Sequence, residues 1–487
     1  MLRIYFVNIL FFAALINCIS QNYEISISLK TKNDTVHLAH IFAKEEILRR
    51  DTTIVLIDGR GVFAGNRVLP KGLYWIVNDN RKIFQMLIGD NQKFGIEIDT
   101  TDVINASRFI NSPDNDVFYA FMRDDIQRQR NQNQLIAQFQ NATEDSERAF
   151  IYEQFRALSS GRMDFIKRLI NENEELYASK FIKGHLPLEM PELPRDEQGN
   201  IADSDYLYRW LRVNFFSNFN IFDEDMLRTP QYEKQLMDYL TWFTQNHPPD
   251  TVCAEIDRML NKTLYSRELF RCMLATMFNF YRQNEQFAAR DNYWVHLVDN
   301  WYVPHADWAT NIDDMKTEAD RVRHTLVGKL APPLDELLVL PPEHFRVAEL
   351  DTAIKNDIHA GFIMSDFRTS INSKFLILLF WDVTCGSCRE EILKIWDIYE
   401  ATKDKGLQVL TVQTNRNIKP IWVDFINQHG MFGDGWYNAW IIYDNKWTWL
   451  YNTGFVPIMY VLNQEKEIMF KGDLDLEWLQ SFIEAAN

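Results

Sequence analysis

The sequence predicts three folded modules behind a leader: a small N-terminal all-β domain, an all-α domain, and a C-terminal α/β domain with a central mixed sheet flanked by helices. Three observations carry this reading. Residues 22 to about 105 hold short alternating segments, separated by Gly and Asn/Asp clusters about ten residues apart. From about 115 to 330, apolar residues recur at three- and four-residue spacing. From 334 onward, strand-like and helix-like segments alternate around Phe375–Trp381 (FLILLFW), an unbroken apolar run. The expected boundaries are 1–20, 21–112, 113–330 and 331–487.

The leader comes first. Met1–Ser20 has Arg3 in a positive start and an apolar stretch from Ile4 to Ile16, broken only by Asn8. Cys18 and Ser20 supply the small residues of a cleavage site, so the segment reads as a secretory signal peptide removed before Gln21. Acylation at Cys18 is the rival reading, and Asn17 is a poor fit just before a lipidated cysteine. No later run reaches ~18 apolar residues, so the mature chain is expected to be at most peripheral to a membrane. The expected location is the periplasm or cell envelope.

Composition narrows the function. Lys and Arg number 51 against 68 Asp and Glu, a net charge of −17 over 487 residues. Such a chain repels phosphate backbones, so nucleic-acid binding is disfavoured. Apolar residues make up 46% and aromatics 14%, which suits packed cores rather than disorder. Five cysteines, one of them in the leader, are too few for a disulfide scaffold.

The β-rich start places strands at Tyr23–Lys30, Thr53–Ile57, Gly61–Gly65, Leu73–Val77, Ile83–Ile88 and Phe94–Ile98, expected as an antiparallel sandwich or barrel. Helices are expected over Asp116–Gln140 and Glu144–Glu174, and again after the loop Lys183–Asp205. The acidic residues Asp196, Asp203 and Asp205 lack EF-hand spacing, so they read as a solvated loop. The aromatic density between Trp210 and Tyr281 reads as core. If 251–263 and 266–283 are antiparallel neighbours, Cys253 and Cys272 are offset by ~6 Å along axes ~8–10 Å apart. That exceeds the ~7 Å reach of a disulfide, so two separate thiols are expected. In the last module the order is β-α-β-α-β-β-α, with strands Phe375–Trp381, Leu407–Val412, Ile458–Leu462 and Ile468–Phe470. Its helices are Gly386–Thr402, Lys419–His429 and Leu476–Ala486.

The chemistry sits at Cys385-Gly386-Ser387-Cys388. This C-x-x-C follows a buried strand and opens a helix, so the sulfurs meet across the first turn. Cys385 lies where unpaired N–H groups and the helix dipole favour negative charge, which lowers a thiol's pKa. Cys388 lies one turn inside, suited to resolving a mixed disulfide. Arg389 is a nearby cation. A zinc half-site would need two more ligands, and no second C-x-x-C or H-x-x-x-H exists. A peroxide-reducing site would need Pro and Thr where Leu378 and Asp382 stand. A structural disulfide is the remaining alternative.

The segment 380–391 (FWDVTCGSCREE) resembles the active-site segment of the thioredoxin superfamily, and is most similar to its exported branch of cytochrome-maturation thiol-disulfide oxidoreductases. The segment 454–462 (GFVPIMYVL) resembles that branch's cis-proline loop. The resemblance implies a thioredoxin-like C-terminal domain with Cys385 and Cys388 as the catalytic pair. It also implies a substrate groove at Pro457, Val456, Thr384 and Trp381. A cis bond before Pro457 would free the Val456 backbone to pair with a bound peptide. No cofactor or metal is implied. The implied partners are client protein thiols or disulfides and a membrane-linked redox partner. The stretches 203–206, 221–230 and 239–240 resemble a helical domain found before such modules in exported proteins, and Gly72-Leu73-Tyr74 resembles the small domain that precedes it. Four departures stand out. Thr384 replaces the usual Trp, Ser387 the usual Pro, Leu379 a buried acid and Leu393 a helix-kinking Pro. The rival class is a non-enzymatic binding protein using the fold as a scaffold around an inert disulfide.

Overall fold

The computed structural model describes residues 21–29, 34–42, 44–79, 81–284, 287–334, 337–348, 361–415, 419–441, 447–472 and 475–486. The leader and the cleavage site expected at Ser20 lie outside these. The chain forms two compact units, one up to Tyr239 and one from Leu240 on.

The first unit opens with two four-stranded sheets. One has the order β4-β1-β7-β8, formed by Arg60–Gly65, Tyr23–Leu29, Lys93–Ile98 and Arg108–Ile110. The other has the order β3-β2-β5-β6, formed by Lys44–Leu56, Asp34–Phe42, Gly72–Asn78 and Arg81–Ile88. Strand β1 shows the alternation expected of it, with Tyr23, Ile25, Ile27 and Leu29 buried. Two expectations are corrected. The pairing is not wholly antiparallel, because β1 runs parallel to β7. Strand β2 was not expected, because its buried residues (Val36, Leu38–Ile41) form a near-continuous run holding His40 rather than an alternating pattern. Two long helices follow, Pro113–Asn141 and Asp145–Glu172. Pro113 at the first helical position, with Asp114 and Asp116 in the first turn, favours the start of the first.

The second unit begins with helices Pro249–Asn261, Arg267–Gln283, Arg290–Leu297 and Ile312–Val322. A seven-stranded mixed sheet follows, in the order β10-β9-β13-β12-β11-β14-β15. These strands are Phe362–Met364, Leu337–Leu340, Trp436–Ile441, Leu407–Gln413, Phe375–Trp381, Ile458–Leu462 and Ile468–Lys471. Strands β11, β12 and β13 are parallel, and both edges are antiparallel, with β14 and β15 on one side and β9 and β10 on the other. Strands β9, β10 and β13 were not expected. In β13 the apolar pattern is interrupted by Asn438, which is buried because it is satisfied. Its side-chain oxygen accepts from the Thr411 hydroxyl and the Trp436 indole, both at 3.1 Å, and its amide donates to Met431 O.

Strand β11 is buried along its whole length. Its odd-numbered residues, Phe375 to Trp381, join one core with Cys388, Ile392 and Ile395 of the helix Gly386–Thr402. Leu376, Leu378 and Phe380 face a second core with Tyr451 and Tyr460. Each such side chain contributes ~1.5–3 kcal/mol on burial. The sheet edge is tied to the chain just before it. Gly328 N donates to Ile468 O, Ile468 N to Lys329 O, and Ala331 N to Lys466 O. Half-buried Lys471 pairs with Asp291 and lies 3.3 Å from the Thr325 hydroxyl.

Candidate active site

Strand β11 ends at Trp381, and the next four residues form the turn that delivers Cys385. Asp382 organises it. One carboxylate oxygen accepts from the Thr384 backbone N–H and hydroxyl, both at 2.8 Å. The other accepts from Asn415 Nδ2 at 3.2 Å, and Asp382 O accepts from Cys385 N. This is the local side-chain-to-backbone bonding that lets Asp set a turn before a helix.

Cys385 is the N-cap of the helix Gly386–Thr402. Its sulfur accepts the Cys388 N–H at 3.3 Å, in the place a capping oxygen would take. The Ser387 hydroxyl lies 3.2 Å from the same sulfur. Cys385 is partly exposed and Cys388 is fully buried.

This geometry splits the two thiols. Burial alone would push Cys385 up. Hydrogen bonds from the Cys388 thiol, the Ser387 hydroxyl and the Cys388 N–H outweigh it, so its pKa falls below the ordinary thiol value. Burial and the bond to Cys385 push the Cys388 thiol up to about 12. Cys385 is therefore the more readily ionised of the two and Cys388 the proton-bearing donor beside it. Both are thiols in this structure.

The second wall comes from the loop that leads into β14, the strand paired with β11. The Val456–Pro457 bond is cis, and Val456 O lies 3.8 Å from Cys385 Sγ. Val456 and Pro457 are half-buried. The loop carrying them is fixed from below by Tyr451, which is buried. Its hydroxyl donates to Pro332 O, its carbonyl accepts from Tyr460 Oη at 2.7 Å, and its ring packs 4.9 Å from Phe380. In the short helix Trp447–Leu450 just before Tyr451, Trp449 packs 4.6 Å from the ring of His324.

The structure thus brings together Cys385, Cys388 and Val456, with Thr384 exposed on the rim. Trp381 is a correction. It is wholly buried, packs against Phe425 and shares the core face of Leu379, so it supports the site from beneath and lines no groove. Arg389 is exposed, and the donors to Cys385 are Cys388 and Ser387 instead. Ser387, Asp382 and Asn415 were missed as contributors. The Asp382-x-Thr384 spacing before a helix was the legible signal for the turn. Among the described residues, no group of three or more His, Cys, Asp or Glu could hold a metal.

No protein-family model matches the chain, and no curated protein matches it. Solved structures do resemble it. One is a thioredoxin-like protein from Bacteroides caccae, 18% identical, with a TM-score of 0.41, covering 62% of this chain and 100% of that one. A domain of a possible thiol-disulfide isomerase from Cytophaga hutchinsonii is 26% identical, with a TM-score of 0.26, over 33% of this chain and 91% of that one. A thiol:disulfide interchange protein from Bacteroides sp. is 18% identical, with a TM-score of 0.25, over 34% and 94%.

Proposed function

We propose that this chain is an exported, thioredoxin-like thiol-disulfide oxidoreductase that exchanges disulfides with client proteins. The observation that carries the reading is the asymmetry of the pair: a lowered, partly exposed thiol at a helix N-cap, bonded to a buried partner that keeps its proton. Disulfide exchange needs these two roles.

The steps balance. The Cys385 thiolate attacks one sulfur of a client disulfide. A Cys385–client disulfide forms and the client's other sulfur leaves as a thiolate. Cys388 then gives up its proton and attacks Cys385 Sγ, which releases the second client thiolate. The client gains two electrons, and Cys385 and Cys388 lose them as their own disulfide forms. A membrane-linked dithiol donor on the outer side of the membrane would return them.

The signal peptide read at 1–20 supports a periplasmic or envelope location, and among the described residues no helix is long and apolar enough to cross a membrane. The cytochrome-maturation branch is a functional analogy, supported by the two segments around Cys385 and Pro457. Pro457, Val456 and Thr384 form the groove in this reading.

The test is reduction of a model protein disulfide by the full mature chain, fed by a small dithiol. Wild type should turn over, Cys385→Ser should fall to background, and Cys388→Ala should stall as a mixed disulfide with added client mass. A wild type no faster than the dithiol alone would leave the inert-scaffold reading in its place.

A further inference from the structure

Beside the nucleophile stands one side chain that folding does not use. Phe455 is 92% exposed, and among the described residues no other large apolar side chain is as open to solvent. Scattered exposed apolar residues are ordinary. The position is what matters here. Phe455 immediately precedes Val456, whose carbonyl lies 3.8 Å from Cys385 Sγ. The surface around that gap is open: a Cβ added at Gly386 or at Gly454 would meet no atom within 4 Å. Thr384 and Ser387 are exposed as well. An extended chain can therefore lie across the gap with little in its way, and the residue next to Val456 carries a large apolar side chain left to solvent, Phe455.

We propose that Phe455 sets client specificity: it takes an aromatic or long aliphatic side chain of an extended client segment, within two residues of the client cysteine. This rests on the thiol-exchange reading above. In an extended segment alternate side chains face the same way, so a residue near the cysteine is delivered to the same surface. Burying part of a phenyl ring against such a side chain stabilises the encounter, and nothing comparable is gained with a glycine there. The chemistry stays the exchange already written, in which Cys385 forms one disulfide bond as one client disulfide bond breaks.

The experiment uses the full, reduced chain in single turnover. Its substrates are two symmetrical peptide disulfides, identical except for Phe or Gly two residues from the cysteine, and hydroxyethyl disulfide as a substrate without flanks. Wild type should oxidise about tenfold faster with the Phe peptide than with the Gly peptide, the ratio that roughly half a buried phenyl ring supplies. Phe455→Ser should erase that ratio and leave the hydroxyethyl disulfide rate and the pH profile of Cys385 alkylation unchanged. Phe455→Leu should keep most of the ratio. A Phe455→Ser chain that retains the preference, or that slows equally on all three disulfides, overturns the proposal. A wild type that reacts with all three but without preference overturns this proposal alone. A wild type inert to all three overturns the exchange reading with it.

Discussion

Two cysteine pairs lie in the second unit, and they differ in everything that makes a thiol reactive. Cys385 and Cys388 share one helical turn, and Cys385 is the N-cap. Cys253 also lies early in its helix, Pro249–Asn261, yet its environment works the other way. Burial, then the charges of Asp257 and Asp250, push its thiol up to about 12. Cys272 is buried on the helix Arg267–Gln283. Both are thiols, as the helical offset predicted. Proximity to a helix N-terminus is therefore not enough. Cys385 differs because its sulfur itself takes the cap position and receives three donors, while Asp382, the carboxylate that opposes it, is occupied by Thr384 and Asn415.

The sharpest way to break this contrast is alkylation of the native reduced protein at pH 7. A thiol near pKa 12 is ionised in roughly one molecule in 10⁵ at that pH, and an unperturbed one in a few per cent. Cys385 should react at least about a thousandfold faster than Cys253 and Cys388. The sign follows from the lowered pKa. The Cys385 rate should fall as pH drops through that pKa and level off above it, while the Cys253 and Cys388 rates still climb beyond pH 9. Equal rates, read by peptide mass, would remove the basis of the asymmetry.

A smaller effect tests the donors one at a time. Ser387→Ala removes one hydrogen bond to the thiolate, a contribution of ~0.5–1.5 kcal/mol. Alkylation of Cys385 at pH 6 should slow severalfold and recover at higher pH, with the folded stability little changed. A variant indistinguishable from wild type across the pH range would assign the lowered pKa to the Cys388 bonds alone.

Much of this was legible in the sequence, for reasons that differ by element. The strand β11 announced itself because seven apolar residues in a row suit a strand buried on both faces. The helix at Gly386 and the C-x-x-C fixed Cys385 and Cys388. The role given to Trp381 was a misreading of nearness in sequence. Period-two alternation already put it on the face of Phe375, Ile377 and Leu379, which is the core. Strand β13 was hidden by Asn438, a polar residue satisfied only once Thr411, Trp436 and Met431 surround it. The parallel pairing of β1 with β7 depends on residues about 70 positions apart, so no local pattern encodes it. Tyr451 was invisible for the same reason, since its partners Pro332 and Phe380 come from distant parts of the chain.

The central claim is that one cysteine pair exchanges and the other does not. The most direct test is a redox titration of the mature protein in graded dithiol/disulfide buffers, quenched with acid, alkylated and read by peptide mass. Cys385 and Cys388 should convert together as a single two-electron couple, with a slope of about 30 mV per tenfold change in ratio, while Cys253 and Cys272 stay thiols throughout. A Cys385–Cys388 pair that does not follow the buffer, or a disulfide that appears between Cys253 and Cys272 instead, would contradict the account.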